Sequence, residues 1–378
     1  MWQESAEKVV ELRSGLTTGS CATACCVGAA RALFANEFAD NIEITLPRGK
    51  CVELPIIAYT ALSELSDQRK GMRVETIKDA GDDPDATHGA TVFVELTLRE
   101  TPGVVFKAAS GVGTVTKTGL LLAVGEPAIN PVPRKMMTEH LQNYATTYQY
   151  AGGFEVAVGV VNGEQIALKT MNGRLGIIGG LSILGTTGIV RPYSCAAYIA
   201  SIRQGVDVAS SNGIKHIAAS TGSSSEAAIK QHYQLEDSAL IEMGDFIGAL
   251  LKHLKKGQVQ KLSICGGFGK LTKMAQGELD LNSRKCSIDF AFLSDCISRL
   301  LKAQGREDQS LLTKVSAANT SIEVLNLANT ENLALAALIC QLAQEKAAKI
   351  VASNIIVEVF AINRQGDIVA SSTPDLQV

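Results

Sequence analysis

Twelve residues, Lys78-Asp79-Ala80-Gly81-Asp82-Asp83-Pro84-Asp85-Ala86-Thr87-His88-Gly89, place four carboxylates and one imidazole in a single loop. Such a loop holds a hard cation or serves acid–base chemistry. Its spacing fits no calcium loop, and Asx-turns beside glycine and proline account for much of it. So dense an acidic loop without lysine partners is unusual, which keeps the functional reading beside the structural one. Thr17-Thr18-Gly19-Ser20 opens a helix. Hydroxyls and free peptide N–H groups there suit a carboxylate or phosphate, and equally make an ordinary N-cap. From Thr170 to Arg191 glycine is dense enough for a ligand to approach the backbone closely. Ser182, Thr186 and Thr187 supply hydroxyls to it. Arg174 and Arg191 flank it, and arginine suits carboxylates. No Gly-Lys-Ser/Thr follows, so it is no P-loop; a buried glycine-rich turn is the alternative. Gly125 to Arg134 holds three prolines, which makes it stiff. It is either a rigid connector or a wall presenting Glu126, Asn130 and Arg134. Gly111-Val112-Gly113 is half of a dinucleotide fingerprint and weak as such.

Two rhythms position these segments. The first half reads as hairpins with a few helices. Ile42–Leu46 and Cys51–Ile57 flank Pro47-Arg48-Gly49-Lys50, and Met72–Ile77 and Ala90–Leu98 are strand-like. Phe154, Val156, Val158 and Val160 alternate before Asn162-Gly163, which predicts a hairpin returning through Glu164–Thr170. Ala22, Cys25, Cys26, Ala29, Ala30 and Leu33 share one helical face. The second half repeats strand, loop and helix three times. His216–Ser220 leads through Thr221-Gly222, Leu240–Met243 through Gly244-Asp245, and Leu262–Cys265 through Gly266-Gly267. This predicts a parallel sheet with helices on its faces. Ligands of such sheets bind at the carboxyl ends of the strands. Thr221, Gly222, Glu242, Gly244, Asp245, Gly266 and Gly267 are therefore expected to form a cofactor crevice. Helices at about 288–304 and 329–349 and a last hairpin turning at Asn363-Arg364-Gln365-Gly366 follow. The rhythm change puts a domain boundary near Val190–Pro192, giving domains 1–190 and 191–378.

A chain of 378 residues suits two domains. With 46% hydrophobic and 19% charged residues it builds packed cores. A net charge of -3 and a single Trp argue against nucleic acid or an anionic membrane surface as partner. The stretch Ile177–Val190 is too short and glycine-rich to span a bilayer, and Met1–Ser5 does not open a signal peptide. Nine cysteines without a Cys-x-x-Cys pair read as free thiols of a cytoplasmic protein. The five histidines show no ligand spacing, so no protein-bound metal is expected. The expectation is a soluble cytoplasmic enzyme acting on small, charged organic molecules.

Taken together the segments resemble the cobalt-precorrin-5B C(1)-methyltransferases of anaerobic cobalamin synthesis. The matching text is Leu16 to Ala22, Lys78 to Gly89, Gly125 to Arg134, Asn172 to Val190, and Gly244-Asp245-Phe246-Ile247-Gly248. The resemblance runs from about residue 12 to about 370. It implies methyl transfer from S-adenosylmethionine to carbon 1 of a cobalt corrinoid, giving cobalt-precorrin-6A, with the cobalt belonging to the substrate. It also implies a two-layer α-β sandwich followed by a Rossmann-like domain, an α+β to α/β class. The partner is a small-molecule corrinoid precursor; a homodimer stays open. For the carboxylate arms of such a ring the local cations are Lys117, Arg134, Lys169, Arg174, Arg191, Lys270 and Lys273. The substrate residues expected are Thr17, Thr18, Ser20, Lys117, Asn130, Arg134, Arg174, Ser182, Thr186, Thr187 and Arg191. Asp82, Asp83 and His88 are the acid–base candidates for adjusting ring protonation. The chain departs from the family where Gly-His-hydrophobic-Gly-Lys is usual: it reads Gly266-Gly267-Phe268-Gly269-Lys270, and Asn282-Ser283 replaces a later His-Ser. No role for those histidines carries over. A metal-dependent hydrolase or phosphotransferase would need a divalent cation. A non-catalytic corrinoid-binding protein would bind tetrapyrrole without affinity for S-adenosylmethionine.

Overall fold

The structure, a computed structural model, describes residues 12–62, 70–255 and 258–373; the amino-terminal stretch Met1–Ser5 lies outside them. The chain is a mixed α+β protein of two compact units, Met1–Ser194 and Cys195–Val378.

In the first unit β1 (Gly15–Leu16) leads into α1 (Thr18–Ala35), and β2 (Asn41–Thr45) pairs with β3 (Cys51–Pro55) as an antiparallel hairpin. There follow β4 (Ala58–Ala61), β5 (Gly71–Ile77), β6 (Thr91–Arg99), β7 (Gly103–Ala108), and the short β8 (Gly111–Val112) and β9 (Thr114–Val115). Next come α2 (Pro131–Thr147), β10 (Gly153–Val160), α3 (Gly163–Ala167), and three short strands, β11 (Ile177–Ile178), β12 (Gly180–Leu181) and β13 (Ile189–Val190). Strands β4-β5-β6-β10-β7 form one sheet, antiparallel except between β10 and β7. The period-2 pattern of β10 puts Phe154, Val156, Val158 and Val160 into the core.

Helix α1 packs on β5, β6 and α2. The sequence predicts one apolar face for it; the structure buries it nearly all round, with Leu33 only partly covered. The reason is side-chain size: Gly19, Ala22, Ala24, Gly28, Ala29 and Ala30 let neighbours close in from every side. Among the described residues this is the one helix long and apolar enough to cross a membrane, and 78% of it is buried inside the unit, as in a core helix. A second expectation fails after β10. The residues following Asn162-Gly163 do not return as a strand but form α3. Asn162 is left-handed (φ 56°), and Glu164-Gln165-Ile166-Ala167 are mostly strong helix formers. The edge that a hairpin strand would have taken is held by β6 and β7.

The second unit runs α4 (Cys195–Ser211), β14 (His216–Ser220), α5 (Ser223–Tyr233), β15 (Leu240–Glu242), α6 (Ile247–Leu254), β16 (Lys261–Gly267) and α7 (Phe268–Gln276). It continues with α8 (Phe290–Ala303), α9 (Gln309–Ser316), α10 (Ser321–Thr330), α11 (Leu335–Ala348), β17 (Ile356–Ile362) and β18 (Ile368–Ser371). The sheet order is β15-β14-β16-β17-β18, parallel except for β18. Its core joins Ile217, Leu262, Ile264, Val357 and Val359 of the strands to Leu250, Leu251, Leu271 and Ile339 of the helices. The three strand–loop–helix repeats fall where the sequence places them, with one correction. Gly266 and Gly267 are the last residues of β16, paired with Ala361 and Ile362, and not a loop. Helices α4, α9 and α10 were not expected.

One polar cluster sits on this sheet. The Nε2 of His216 lies 2.8 Å from Ser263 Oγ, Tyr233 donates to Glu358 at 2.5 Å, and Lys261 pairs with Glu358 at 3.0 Å. Burial and the charge of Lys261 hold His216 below its ordinary 6.5, against the pull of Glu358. Burial pushes Glu358 up, but hydrogen bonds from Tyr233 and Lys261 prevail and hold it below 4.5. Both groups take up protons more readily in the unfolded chain, so stability falls on acidification. The His216 share is fully present above pH 6.5 and is lost below it. Chemical denaturation should show the midpoint dropping as the pH falls below 6.5, and His216→Gln should flatten that slope. An unchanged slope in the variant would exclude His216 as its source.

Candidate functional site

The amino end of α1 is where several chemistry-bearing segments meet. Thr17 N donates to Gly188 O at 3.1 Å, Gly19 N to Leu184 O at 3.0 Å, and Leu16 N to Asp79 O at 2.8 Å. Ser20 Oγ donates to Gly188 O at 2.8 Å, and Thr18 Oγ1 accepts from Leu184 N at 3.1 Å. Thr17 Oγ1 caps the helix, accepting from Ser20 N at 3.2 Å. β1 pairs with β13, closing the same junction. Side chains are excluded here by contact: a Cβ on Gly15 would lie 2.1 Å from the Ala80 carbonyl carbon, and one on Gly185 (φ +138°) 2.2 Å from Thr17 Oγ1. Thr17, Thr18 and Ser20 are buried and hold the Leu184–Gly188 segment. On that segment Thr186 is exposed and Thr187 half-buried; Ser182, two residues before Leu184, is half-buried. Ser182 donates to Asn172 Oδ1 at 3.3 Å, and Thr187 Oγ1 bonds Ile189 O at 3.2 Å. Asn130 joins through its N–H to Ile183 O at 2.9 Å, and its side chain makes no capping bond.

Two of the four carboxylates of the acidic loop are neutralised, one by Lys78 of the loop itself and one by Arg13, which corrects the expectation that it lacks lysine partners. Lys78, 1% exposed, pairs with Asp85 at 2.5 Å. Asp85 also accepts the N–H and hydroxyl of Thr87 at 2.7 and 2.6 Å. Burial pushes Asp85 up, and the bonds from Lys78 and Thr87 more than reverse it. Asp79 takes both guanidinium nitrogens of Arg13, at 2.5 and 2.9 Å, and Gly81 N at 2.9 Å. The Arg13 hydrogen bond, then that of Gly81, holds Asp79 at about 2. Asp82 accepts Arg13 N at 2.6 Å and Asp83 accepts Tyr193 N at 2.9 Å. His88 is exposed, and its Nδ1 accepts from Ala80 N at 3.1 Å, so in the neutral ring Nε2 carries the proton. Asp82, Asp83 and His88 thus bind backbone N–H groups while Asp79 and Asp85 are committed to cations.

Of the expected substrate cations, Arg134 clasps its own loop. It donates to Ile129 O at 2.7 Å and Pro127 O at 3.1 Å and pairs with Glu126 at 2.8 Å. Lys117 is half-buried with its stem against Gly176, where a Cβ would meet it at 2.5 Å. Arg174 is half-buried, and Lys169 and Arg191 are exposed.

In the second unit the seven expected cofactor residues share one edge. Thr221 and Gly222 follow β14, Glu242 ends β15, Gly244 and Asp245 follow it, and Gly266 and Gly267 end β16. Met243 N and Gly244 N both donate to Ser220 O, at 3.0 and 3.2 Å. A Cβ on Gly266 would press on Thr221 at 2.9 Å, whereas one on Gly222 or Gly267 would meet no atom within 4 Å. Asp245 is paired with Lys270. Glu242 accepts from Tyr198, which burial, the Glu242 charge and that hydrogen bond push up to about 12. Tyr198 carries no motif, and its helix α4 was not anticipated. The buried hydroxyl of Ser220 has no partner among the described residues. A cavity of about 680 Å³ opens at the ends of β16 and β17 and shares only Gly267 with the expected set. All nine cysteines are free; burial pushes Cys21, Cys265 and Cys340 up to about 12, out of reach of nucleophilic work.

The Lys78–Asp85 pair yields a stability prediction. Asp85→Ala strands a buried ammonium and should cost on the order of 3 kcal/mol. Adding Lys78→Met should restore most of that loss. Denaturant midpoints of the single and double variants decide it: a double variant no more stable than Asp85→Ala would show that the two groups are not coupled.

No group of three or more His, Cys, Asp or Glu among the described residues is placed to hold a metal ion. The chain matches the CbiD family over residues 4–192 and the CbiD C-terminal domain over residues 280–373. The cobalt-precorrin-5B C(1)-methyltransferase of Marinomonas sp. is 60% identical over 98% of this chain and 97% of its own length. The protein of that name from Paraburkholderia phymatum is 56% identical over 98% of this chain and 100% of its own. A crystal structure of the cobalamin biosynthesis protein (cbiD) of Archaeoglobus fulgidus shares 28% identity, covering 72% of this chain and 83% of that one, with a TM-score of 0.38. By a likeness that spans nearly all of both chains, this protein belongs to the CbiD family of cobalt-precorrin-5B C(1)-methyltransferases.

Proposed function

We propose that the chain transfers a methyl group from S-adenosylmethionine to carbon 1 of cobalt-precorrin-5B, giving cobalt-precorrin-6A. The near end-to-end match to relatives of that name carries the reading. Bound S-adenosylmethionine supplies a methyl group already activated by its sulfonium. The ring carbon is the nucleophile through conjugation, so no side-chain nucleophile is needed, and the cobalt travels with the substrate. The chain's share is to bind, align and exclude water.

The edge formed by Thr221, Gly222, Glu242, Gly244, Asp245, Gly266 and Gly267 suits the cofactor. Space stands open before Gly222 and Gly267, and Glu242 beside Tyr198 suits ribose hydroxyls. We read this unit as Rossmann-like in the broad sense of a mostly parallel sheet with its ligand at the strand carboxyl ends, and the first as an α-β sandwich, divided as residues 1–190 and 191–378. Lys117, Arg174 and Arg191 bind carboxylate arms of the ring, with Ser182, Thr186, Thr187 and Asn130 as hydrogen-bonding partners. Thr17, Thr18, Ser20 and Arg134 serve by fixing the loops that carry them. Transfer of a methyl from a sulfonium leaves a neutral thioether and one extra positive charge on the ring. A proton must leave for charge to balance, and Asp82, Asp83 and His88 are the groups we assign to receive it. With every cysteine free, the reaction is assigned to the reducing cytoplasm.

The test is turnover by the purified chain in chelator, followed by mass spectrometry. The corrinoid should gain one methyl in place of hydrogen, with one S-adenosylhomocysteine formed per turnover. A requirement for divalent cation, or corrinoid binding without any affinity for S-adenosylmethionine, would overturn the reading. Alanine at Asp82, Asp83 and His88 together should lower kcat by on the order of 10²-fold and leave S-adenosylhomocysteine affinity unchanged; wild-type turnover in that variant would remove the proton-accepting role.

A further inference from the structure

We infer that the cavity at the ends of β16 and β17 is a binding site for a carboxylate carried on an organic body with an apolar face, anchored by Lys273. The cavity holds about 680 Å³, the size of a site for a single small organic ligand. Phe268, Ile288 and Leu325 give it an apolar lining, and Lys273 and Arg364 bring positive charge to it.

Lys273 is the anchor of the site. Only 6% of it is exposed. Two of its three N–H donors are engaged, by Leu281 O at 3.2 Å and Ser283 Oγ at 3.1 Å, and both acceptors are neutral. Among the described residues no carboxylate lies within ion-pairing distance of it. The contrast with its neighbours is sharp. Lys78, the other buried lysine among the described residues, has Asp85 at 2.5 Å, and Lys270, one turn before Lys273, has Asp245. A buried ammonium without a counter-charge is unfavourable; here the counter-charge is left for a ligand to bring.

The backbone agrees independently. Helix α7 spans nine residues, and Gly267 caps it without any side-chain hydrogen bond. Gly267 and Gly269 both line the cavity, and a Cβ at Gly267 would meet nothing. Uncapped peptide N–H groups and the positive end of the helix therefore face the same space as Lys273. Arg364, exposed on the turn between β17 and β18, adds a cation at the margin.

Within the proposed reaction two molecules carry this chemistry: the amino-acid end of the methyl donor and a carboxylate arm of the macrocycle. Only that identification rests on the methyl-transfer reading; the anion site does not. Calorimetry on the whole chain separates the sources with paired probes. S-adenosylhomocysteine is compared with 5′-methylthioadenosine, which lacks the carboxylate. Cobyrinic acid is compared with its fully amidated counterpart. Lys273→Gln, which keeps a donor for Leu281 O, should weaken one carboxylate-bearing probe at least tenfold and leave its carboxylate-free counterpart unchanged. Arg364→Glu, on an exposed turn, should weaken the same probe by a smaller factor and decides the matter if Lys273→Gln does not fold. The inference is overturned if neither acid binds the wild-type chain, or if both bind the folded variants as tightly as wild type. Wild-type methyl transfer with no Lys273-dependent binding sinks the cavity assignment alone. Lys273-dependent binding without methyl transfer sinks the reaction alone.

Discussion

Close approach of glycine backbone to its neighbours at the amino end of α1 is the constraint on which the surrounding loops of the first unit depend. Gly185 lies so close to Thr17, and Gly15 so close to Ala80, that no side chain fits between them. Peptide N–H groups that a helix end normally leaves open are answered by carbonyls of Leu184 and Gly188. The hydroxyls of Thr17, Thr18 and Ser20 face inward for the same purpose. A Thr–Thr–Gly–Ser motif that reads as an anion cradle is thus the fastening of a neighbouring loop. It holds the stretch from Leu184 to Gly188, which carries Thr186 and Thr187, through both backbone and side-chain bonds.

Charge placement follows a comparable logic. The acidic loop does not present a field of four carboxylates. Lys78 and Arg13 neutralise Asp85 and Asp79, and Asp82, Asp83 and His88 are left bonded to backbone N–H groups. The pairing was hard to see in the sequence for opposite reasons. Lys78 heads the acidic segment itself, next to Asp79 but paired with Asp85, and Arg13 lies 66 residues from Asp79. Electrostatic partners are set by the fold, and only the spacing of groups on a single element is legible beforehand.

What the sequence does make legible is the regular part of the second unit. His216–Ser220 and the turn at Asn363–Gly366 stand where periodicity and turn residues put them, because a parallel sheet buried on both faces needs continuous apolar runs. The failures have local causes. Asn162-Gly163 has the composition of a hairpin turn, but β10 already has strand neighbours on both sides, and the chain after it turns into a helix. Gly266-Gly267 has the composition of a loop, but β17 runs alongside and pairs them. Tyr198, which bonds Glu242 at the proposed cofactor edge, belongs to no pattern at all. Its place depends on α4 lying across that edge, a tertiary fact.

The extension of β16 through Gly267 also bears on how the second unit handles anions. Because the strand runs straight into α7, the helix begins at Phe268 with a glycine as its cap, and the wall of the cavity at that point is bare backbone. This is the position at which the chain departs from the Gly-His-hydrophobic-Gly-Lys pattern, and Ser283, beside the second departure, is the residue that bonds Lys273. An imidazole at 267 would project into space that is open here. Without it, the positive end of α7 stands unscreened beside a buried ammonium. Two preferences for negative charge then act on one volume, and the one at Lys273, an ammonium only 6% exposed, is worth more than it would be at the surface.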